Sequence, residues 1–293
     1  MKINRLDRAI AIEGIRDFAL DHIFDCGQCF RWRKNQDGSY DGIAYGKPVT
    51  VDYDRQQELL IIYNTDFADF RQIWLRYFDL ERDYGIIKER LSDGDPVMAK
   101  AVSYGEGIRI LNQEKWETLL SFIISQNNNI PRIRQCIDSL AENFGEFAGI
   151  YRNRAWYNLP LPSALAELTE EDLAPCRLGY RAKYLIETAR RAQREGLGSL
   201  ERLGMPETSS EDAFRALQEY CGVGAKVANC VALFSMGKLD RFPVDVWVRK
   251  VMNRLYGLSE GDLKGMERFA ADKFGPYGGI AQQYLFYYIT HQK

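Results

Sequence analysis

The chain reads as an α+β protein, with a small antiparallel sheet unit followed by a larger helical body. Three observations predict this. Residues 30–64 hold four short alternating runs, FRWR, SYDGIAYG, KPVTVDYD and ELLIIYN, broken at Asp37-Gly38, Gly46 and Asp54-Arg55. Alternation over a few residues, bounded by turn formers, is the pattern of strands and tight connections. From about Asp66 onward the apolar residues recur at helical spacing instead. Near residue 222 a glycine hairpin opens one of these helices, GVGAKVANC.

Each element follows from its own stretch. The four runs predict an antiparallel meander. FADFRQIWLRYF, EKWETLLSFIISQ and IPRIRQCIDSLAENFG predict the next helices. Loops are expected at Leu159-Pro160-Leu161-Pro162 and Met205-Pro206. The expected division is a sheet unit over 1–90 and a two-part helical body over 91–293. Within that body the hairpin motif spans about 212–235 and a C-terminal helix about 279–291.

Composition sets limits. The 293 residues are 46% hydrophobic, enough for two or three packed units. No apolar run reaches membrane-spanning length. The first residues, MKINRLDRAIAIEG, lack the core of a signal peptide. Six cysteines without a secretion signal indicate reduced thiols and an intracellular setting, cytoplasm with nucleoid or nucleus. Cys26 and Cys29 form a lone CxxC, and His22 and His291 are the two histidines, so no metal and no cofactor are expected. A net charge of −2 excludes a generally basic nucleic-acid binder, so any such contact must be local. The basic segment Arg177 to Arg194, RLGYRAKYLIETARRAQR, is either such a contact or a solvated helix face.

Two residues carry the chemistry. Gly222 and Gly224 bracket Val223 and suit a turn that another backbone approaches closely. The helix that follows begins with unpaired N–H groups and a positive dipole end, a natural seat for phosphate. Lys226 lies in its first turn, where a positive charge is disfavoured, and an uncharged lysine amine is a nucleophile. Cys230, four residues on, shares its face. Asp245, in FPVDVW, precedes a second helix that ends at Gly257. Aspartate there caps the helix and can also stabilise an oxocarbenium-like carbon.

The pairing of GVGxKVA with PVDV resembles the helix-hairpin-helix DNA glycosylases, and among them the bifunctional 8-oxoguanine DNA glycosylases with AP lyase activity. The resemblance covers nearly the whole chain. It implies a sheet domain like the TATA-binding fold packed on the helices, with double-stranded DNA containing 8-oxoguanine across the cleft, and a monomeric enzyme. It makes Lys226 the catalytic lysine and Asp245 the essential aspartate. Gly222, Gly224 and Val227 then meet DNA phosphate. GQxFRW at Gly27 to Trp32 matches the segment whose glycine carbonyl accepts the N7 proton of 8-oxoguanine, so that role falls to Gly27. Gln282 matches the base-edge reader, with Phe286 and Cys230 as the two stacking faces. Asn127, in QNNNIPR, fills the hole left by the extruded base. Arg132 and Arg181 contact the orphan cytosine, and Tyr180 is the wedge. These residues imply a preference for cytosine opposite the lesion.

Two departures accompany the match. Cys221 stands where the family usually has proline. Trp247 stands where eukaryotic members have a phosphate-contacting histidine, and a tryptophan donates only through its indole N–H. No cysteine follows Cys230, so the iron–sulfur loop of some related glycosylases is not expected. Two other readings stay open on sequence: a superfamily glycosylase for alkylated bases or mispaired adenine, whose monofunctional members lack the lysine, and a non-catalytic DNA-binding or scaffold protein.

Overall fold

The computed structural model describes residues 1–292. The expected meander is present as strands β3 Trp32–Lys34, β4 Tyr40–Ala44, β5 Lys47–Asp54 and β6 Leu59–Tyr63. Two strands were not expected: β1 Lys2–Leu6 and β2 Ala9–Glu13. They extend the sheet to six antiparallel strands in the order β1-β2-β6-β5-β4-β3. The buried face of β2, β5 and β6 presents Ile10, Ile12, Val49, Val51, Leu60 and Ile62. Burying each such side chain contributes about 1.5–3 kcal/mol relative to exposure. The turn into β2 uses Arg8 at φ +52° rather than glycine, so it carries no glycine signal.

The helical body departs from expectation in two places. The run after Asp66 is helical, but Phe70–Trp74 adopts π geometry. A hairpin, β7 Phe147–Tyr151 and β8 Arg154–Tyr157, interrupts the helices. Its two-residue turn, Arg152-Asn153, has positive φ at both positions, the type I′ geometry usually signalled by Asn-Gly.

At the centre of the body every residue of the helix Lys115–Ile124 except Glu117 is buried. It packs on the helix Ala225–Met236, with Phe122 stacked on Phe234 at 5.5 Å and 21°. Two hydrophobic cores result. One gathers the sheet side chains and the residues up to Leu80, joined by Leu111; the other runs from Tyr84 to Tyr287. The segment Cys26 to Trp32 threads between them: Cys26 and Phe30 belong to the helical core, Cys29 and Trp32 to the sheet core.

Three buried glutamines hold that segment in place. Gln28 donates to the carbonyls of Ile23 at 2.9 Å and Arg109 at 2.8 Å and accepts from the Leu111 N–H at 2.9 Å. Gln113 donates to the Gln28 carbonyl at 2.7 Å. Gln283 donates to the Cys26 carbonyl at 2.5 Å, which ties the C-terminal helix, Gly278–His291, to the same strap.

Candidate active site

The hairpin joins the helices Ser210–Gln218 and Ala225–Met236. Gly222 sits at φ +76°, and a Cβ there would lie 2.4 Å from Tyr184 Cδ2. Backbone and space therefore both demand glycine. Gly224 has an ordinary φ of −89° and open space around it. What it supplies is exposure at the helix mouth. The first helical hydrogen bond runs from the Ala228 N–H to the Gly224 carbonyl at 3.0 Å. The N–H groups of Ala225, Lys226 and Val227 come before it and are the ones an anion can use. Cys221, in the place of the usual proline, offers its carbonyl to Thr188 Oγ1 at 3.2 Å.

Asp245 caps the helix Val246–Tyr256. Its Oδ1 accepts from the N–H groups of Trp247 at 2.9 Å and Val248 at 2.8 Å. Its Oδ2 accepts nothing from the described residues, so one carboxylate oxygen holds the helix while the other stays free for a ligand. Trp247 is 44% exposed in the first turn, with the Lys250 ammonium 4.6 Å from its ring centre.

Lys226 and Asp245 line one cavity, together with Gly27, Cys230, Gln282 and Phe286. The Lys226 ammonium lies 5.2 Å from the Phe122 ring centre, above an apolar floor. Burial pushes the Cys230 thiol up to about 11, against the pull of the Lys226 charge, so Cys230 stays a neutral thiol at pH 7. Burial also pushes Cys26 up to about 12 and Cys29 well above the ordinary thiol range. Both are free thiols. The Gln282 Oε1 is buried without a hydrogen-bond partner. An acceptor left unpaired in this way costs about 1–3 kcal/mol until a donor reaches it. Gly27 adopts φ +80°, and a Cβ there would lie 3.3 Å from Phe286 Cε1. Its carbonyl accepts no hydrogen bond from a described residue.

The cavity volume is about 60 Å³. That is room for roughly two waters, whose liquid share is about 30 Å³ each. Phe286, a half-buried aromatic side chain, forms one wall.

The second group of expected residues gathers elsewhere. Asn127 is exposed at φ +46°, and Arg132 and Tyr180 are exposed beside it. The Asn129 side chain caps the helix Ile130–Phe144 by accepting from the Arg132 N–H at 3.0 Å. Arg181 differs from its neighbours. It is 4% exposed, and its guanidinium donates to the carbonyls of Gln126 and Asn127 at 2.9 Å each and of Leu178 at 3.1 Å. In this structure it braces the Asn127 loop from beneath. The basic segment is likewise no free stripe, because Arg190 pairs with Glu187 and Arg191 with Glu195 and Glu219.

Sequence reasoning missed Phe122, Pro243 and Gln283 as parts of the site. Phe122 gave no signal inside an apolar run. Gln283 gave a weak one, an amide in an otherwise apolar helix. Among the described residues no group of three or more His, Cys, Asp or Glu could hold a metal. No helix among them is long and apolar enough to cross a membrane.

Comparison with known proteins gives this geometry a family. Residues 11–119 match the N-terminal domain of 8-oxoguanine DNA glycosylase, and residues 120–276 match the HhH-GPD superfamily of base excision DNA repair proteins. The apo-form crystal structure of Clostridium acetobutylicum 8-oxoguanine glycosylase/lyase superposes with a TM-score of 0.91 at 44% identity, over 98% of each chain. This chain belongs to the 8-oxoguanine DNA glycosylase/lyase family. It is thereby an N-glycosylase/DNA lyase. The N-glycosylase/DNA lyase of Saccharomyces cerevisiae is 33% identical over 264 residues, covering 83% of this chain and 69% of that protein. The Clostridium enzyme has also been solved with double-stranded DNA containing cytosine opposite 8-oxoG, and that structure matches with a TM-score of 0.93 at 43% identity, over 98% of this chain and 97% of that one. The 3-methyladenine DNA glycosylase of Archaeoglobus fulgidus, at 21% identity and a TM-score of 0.75, shares the fold.

Proposed function

We propose that this member of the family excises 8-oxoguanine from duplex DNA, with cytosine as the preferred opposite base, through a Schiff base on Lys226. The observation that carries the reading is one cavity holding a lysine amine, a carboxylate oxygen outside its cap, and an unpaired amide acceptor.

The Lys226 amine, uncharged at the moment of attack, bonds to C1′ of the extruded nucleotide. The N-glycosidic bond breaks and its electron pair leaves with the base, which takes up a proton. The Asp245 Oδ2 faces the positive charge that develops on the sugar. Opening of the sugar ring gives the imine. Loss of a C2′ proton, with the departed base as its carrier, then expels the 3′ phosphate by β-elimination. Gly27 and Gln282 do the reading. Guanine presents an acceptor at N7 and 8-oxoguanine a donor, so the unoccupied Gly27 carbonyl attracts one and repels the other. A mismatched buried polar pair costs about 1–3 kcal/mol. Phe286 and Cys230 sandwich the base, and stacking returns about 1–3 kcal/mol against the cost of extrusion.

Gly222, Gly224, Val227 and Trp247 surround the two helix mouths, and we assign them to the phosphates on either side of the lesion. Asn127 and Tyr180 fill and wedge the duplex, and Arg132 meets the orphan cytosine. Arg181 reaches that base only on leaving its loop carbonyls. We also propose a division between sheet unit and helical body at about residue 90, shortly after the change from one core to the other between Leu80 and Tyr84. The protein works inside the cell, where its duplex substrate lies.

Borohydride reduction during turnover tests the mechanism. Wild type is expected to give a covalent complex with 8-oxoguanine duplex and Lys226→Gln none. Normal trapping by that variant rejects Lys226 as the nucleophile. Equal rates opposite all four bases reject the cytosine preference.

A further inference from the structure

A second and larger cavity, of about 760 Å³, lies beside the hairpin. Its volume falls within the few hundred to roughly 1,000 Å³ typical of small-molecule sites. Both hairpin helices contribute to it, through Glu211 and Asn229, as do the 240–242 loop and the helix Leu263–Phe274. Asn229 is one residue from Cys230, so it faces about 100° away from the base pocket around the same helix.

Three features give the cavity a chemistry. Asn229 is only 5% exposed, lines the cavity, and its amide makes no hydrogen bond to a described residue. Its polar atoms keep access to the cavity, where the edge of a ligand can meet them in place of water. Lys264 and Arg268, one turn apart on one helix face, form no ion pair among the described residues and are exposed at the rim. Carboxylates complete the lining. Arg241 occupies Glu211 at 3.4 Å and Asp240 at 3.6 Å, whereas Glu267 has no cation of its own.

We infer that this cavity binds an adenine ribonucleotide. An asparagine amide matches the donor and acceptor of the adenine N6/N7 edge. Carboxylates accept from ribose hydroxyls, as acidic residues do in dinucleotide folds. Lysine and arginine one turn apart hold a phosphate. A free phosphate satisfies the rim alone and a nucleoside the interior alone, so the joint site calls for both parts. The site stands apart from Lys226, yet it shares walls with the base pocket. Phe242 lines the new cavity and Pro243, the next residue, lines the other. Their loop rests on the C-terminal helix through the Gly279 N–H to Leu239 carbonyl bond at 2.7 Å.

Calorimetric titration of the full-length protein with AMP, GMP, adenosine and inorganic phosphate tests this. AMP is expected to saturate a single site, with the other three at least tenfold weaker. The double variant Lys264→Glu, Arg268→Glu, altered at exposed positions, is expected to weaken AMP at least tenfold at an unchanged melting temperature. Asn229→Asp is expected to remove the preference for AMP over GMP. No binding at millimolar AMP, phosphate binding as tightly as AMP, or full affinity in the double variant overturns the proposal. Excision by the double variant without nucleotide is expected to match wild type, so loss of AMP binding is distinguishable from failure of the Lys226 chemistry.

Discussion

Replacing Gly27 by alanine separates reading of the base from chemistry on the sugar. Gly27 lies at φ +80°, where an L side chain is strained by about 1–2 kcal/mol. The new methyl would also meet Phe286 Cε1 at 3.3 Å, closer than a relaxed contact. Strain is relieved by turning the peptide or displacing the ring, and either moves the carbonyl assigned to the N7 proton. Losing that hydrogen bond costs about 1–3 kcal/mol, or about 5- to 150-fold in rate. Single-turnover excision on 8-oxoguanine duplex is expected to fall by that factor. Strand cleavage at a preformed abasic site, where no base is read, is expected to stay within about threefold. Equal losses on both substrates, or none on either, would refute the reasoning.

Two further outcomes follow from other parts of the molecule. Asp245→Asn keeps a good cap but removes the free carboxylate oxygen, so excision is expected to drop by about 10²–10³ while the melting temperature, followed by circular dichroism, barely moves. Burial and the neighbouring Glu117 charge raise Glu114 from 4.5 to about 7. Its protonated form therefore stabilises the fold below about pH 4.5, and that contribution is lost as pH rises through about 7. Urea unfolding is expected to find Glu114→Gln more stable than wild type at pH 8, by on the order of 3 kcal/mol, and equal to it at pH 4.5; a pH-independent difference would rule this out.

Much of the plan was legible because it rests on short-range rules. The meander announced itself through alternation between Asp-Gly and Asp-Arg turns, and the two helix mouths through GVGAK and PVD. Elements escaped where local chemistry was atypical. Strands β1 and β2 turn through Asp7-Arg8, and β7 and β8 through Arg152-Asn153, so neither hairpin carries a glycine at its turn. The cavity residues were legible one at a time, but their burial was not. Nothing in LGYRAKY says that Arg181 is 4% exposed and spends its donors on carbonyls while Tyr180 beside it is half exposed. The unpaired Gln282 oxygen likewise depends on what the rest of the fold fails to place near it.

The strap from Cys26 to Trp32 alternates its anchors between the two cores. The residue assigned to sensing the oxidised purine is thus owned by neither half of the protein. On that assignment, fidelity is expected to be a property of the seam. Damage to that joint, even on the side remote from DNA, is then expected to blur the choice of base while sparing the proposed nucleophile, and a helical half expressed alone would keep its lysine and lose its judgement.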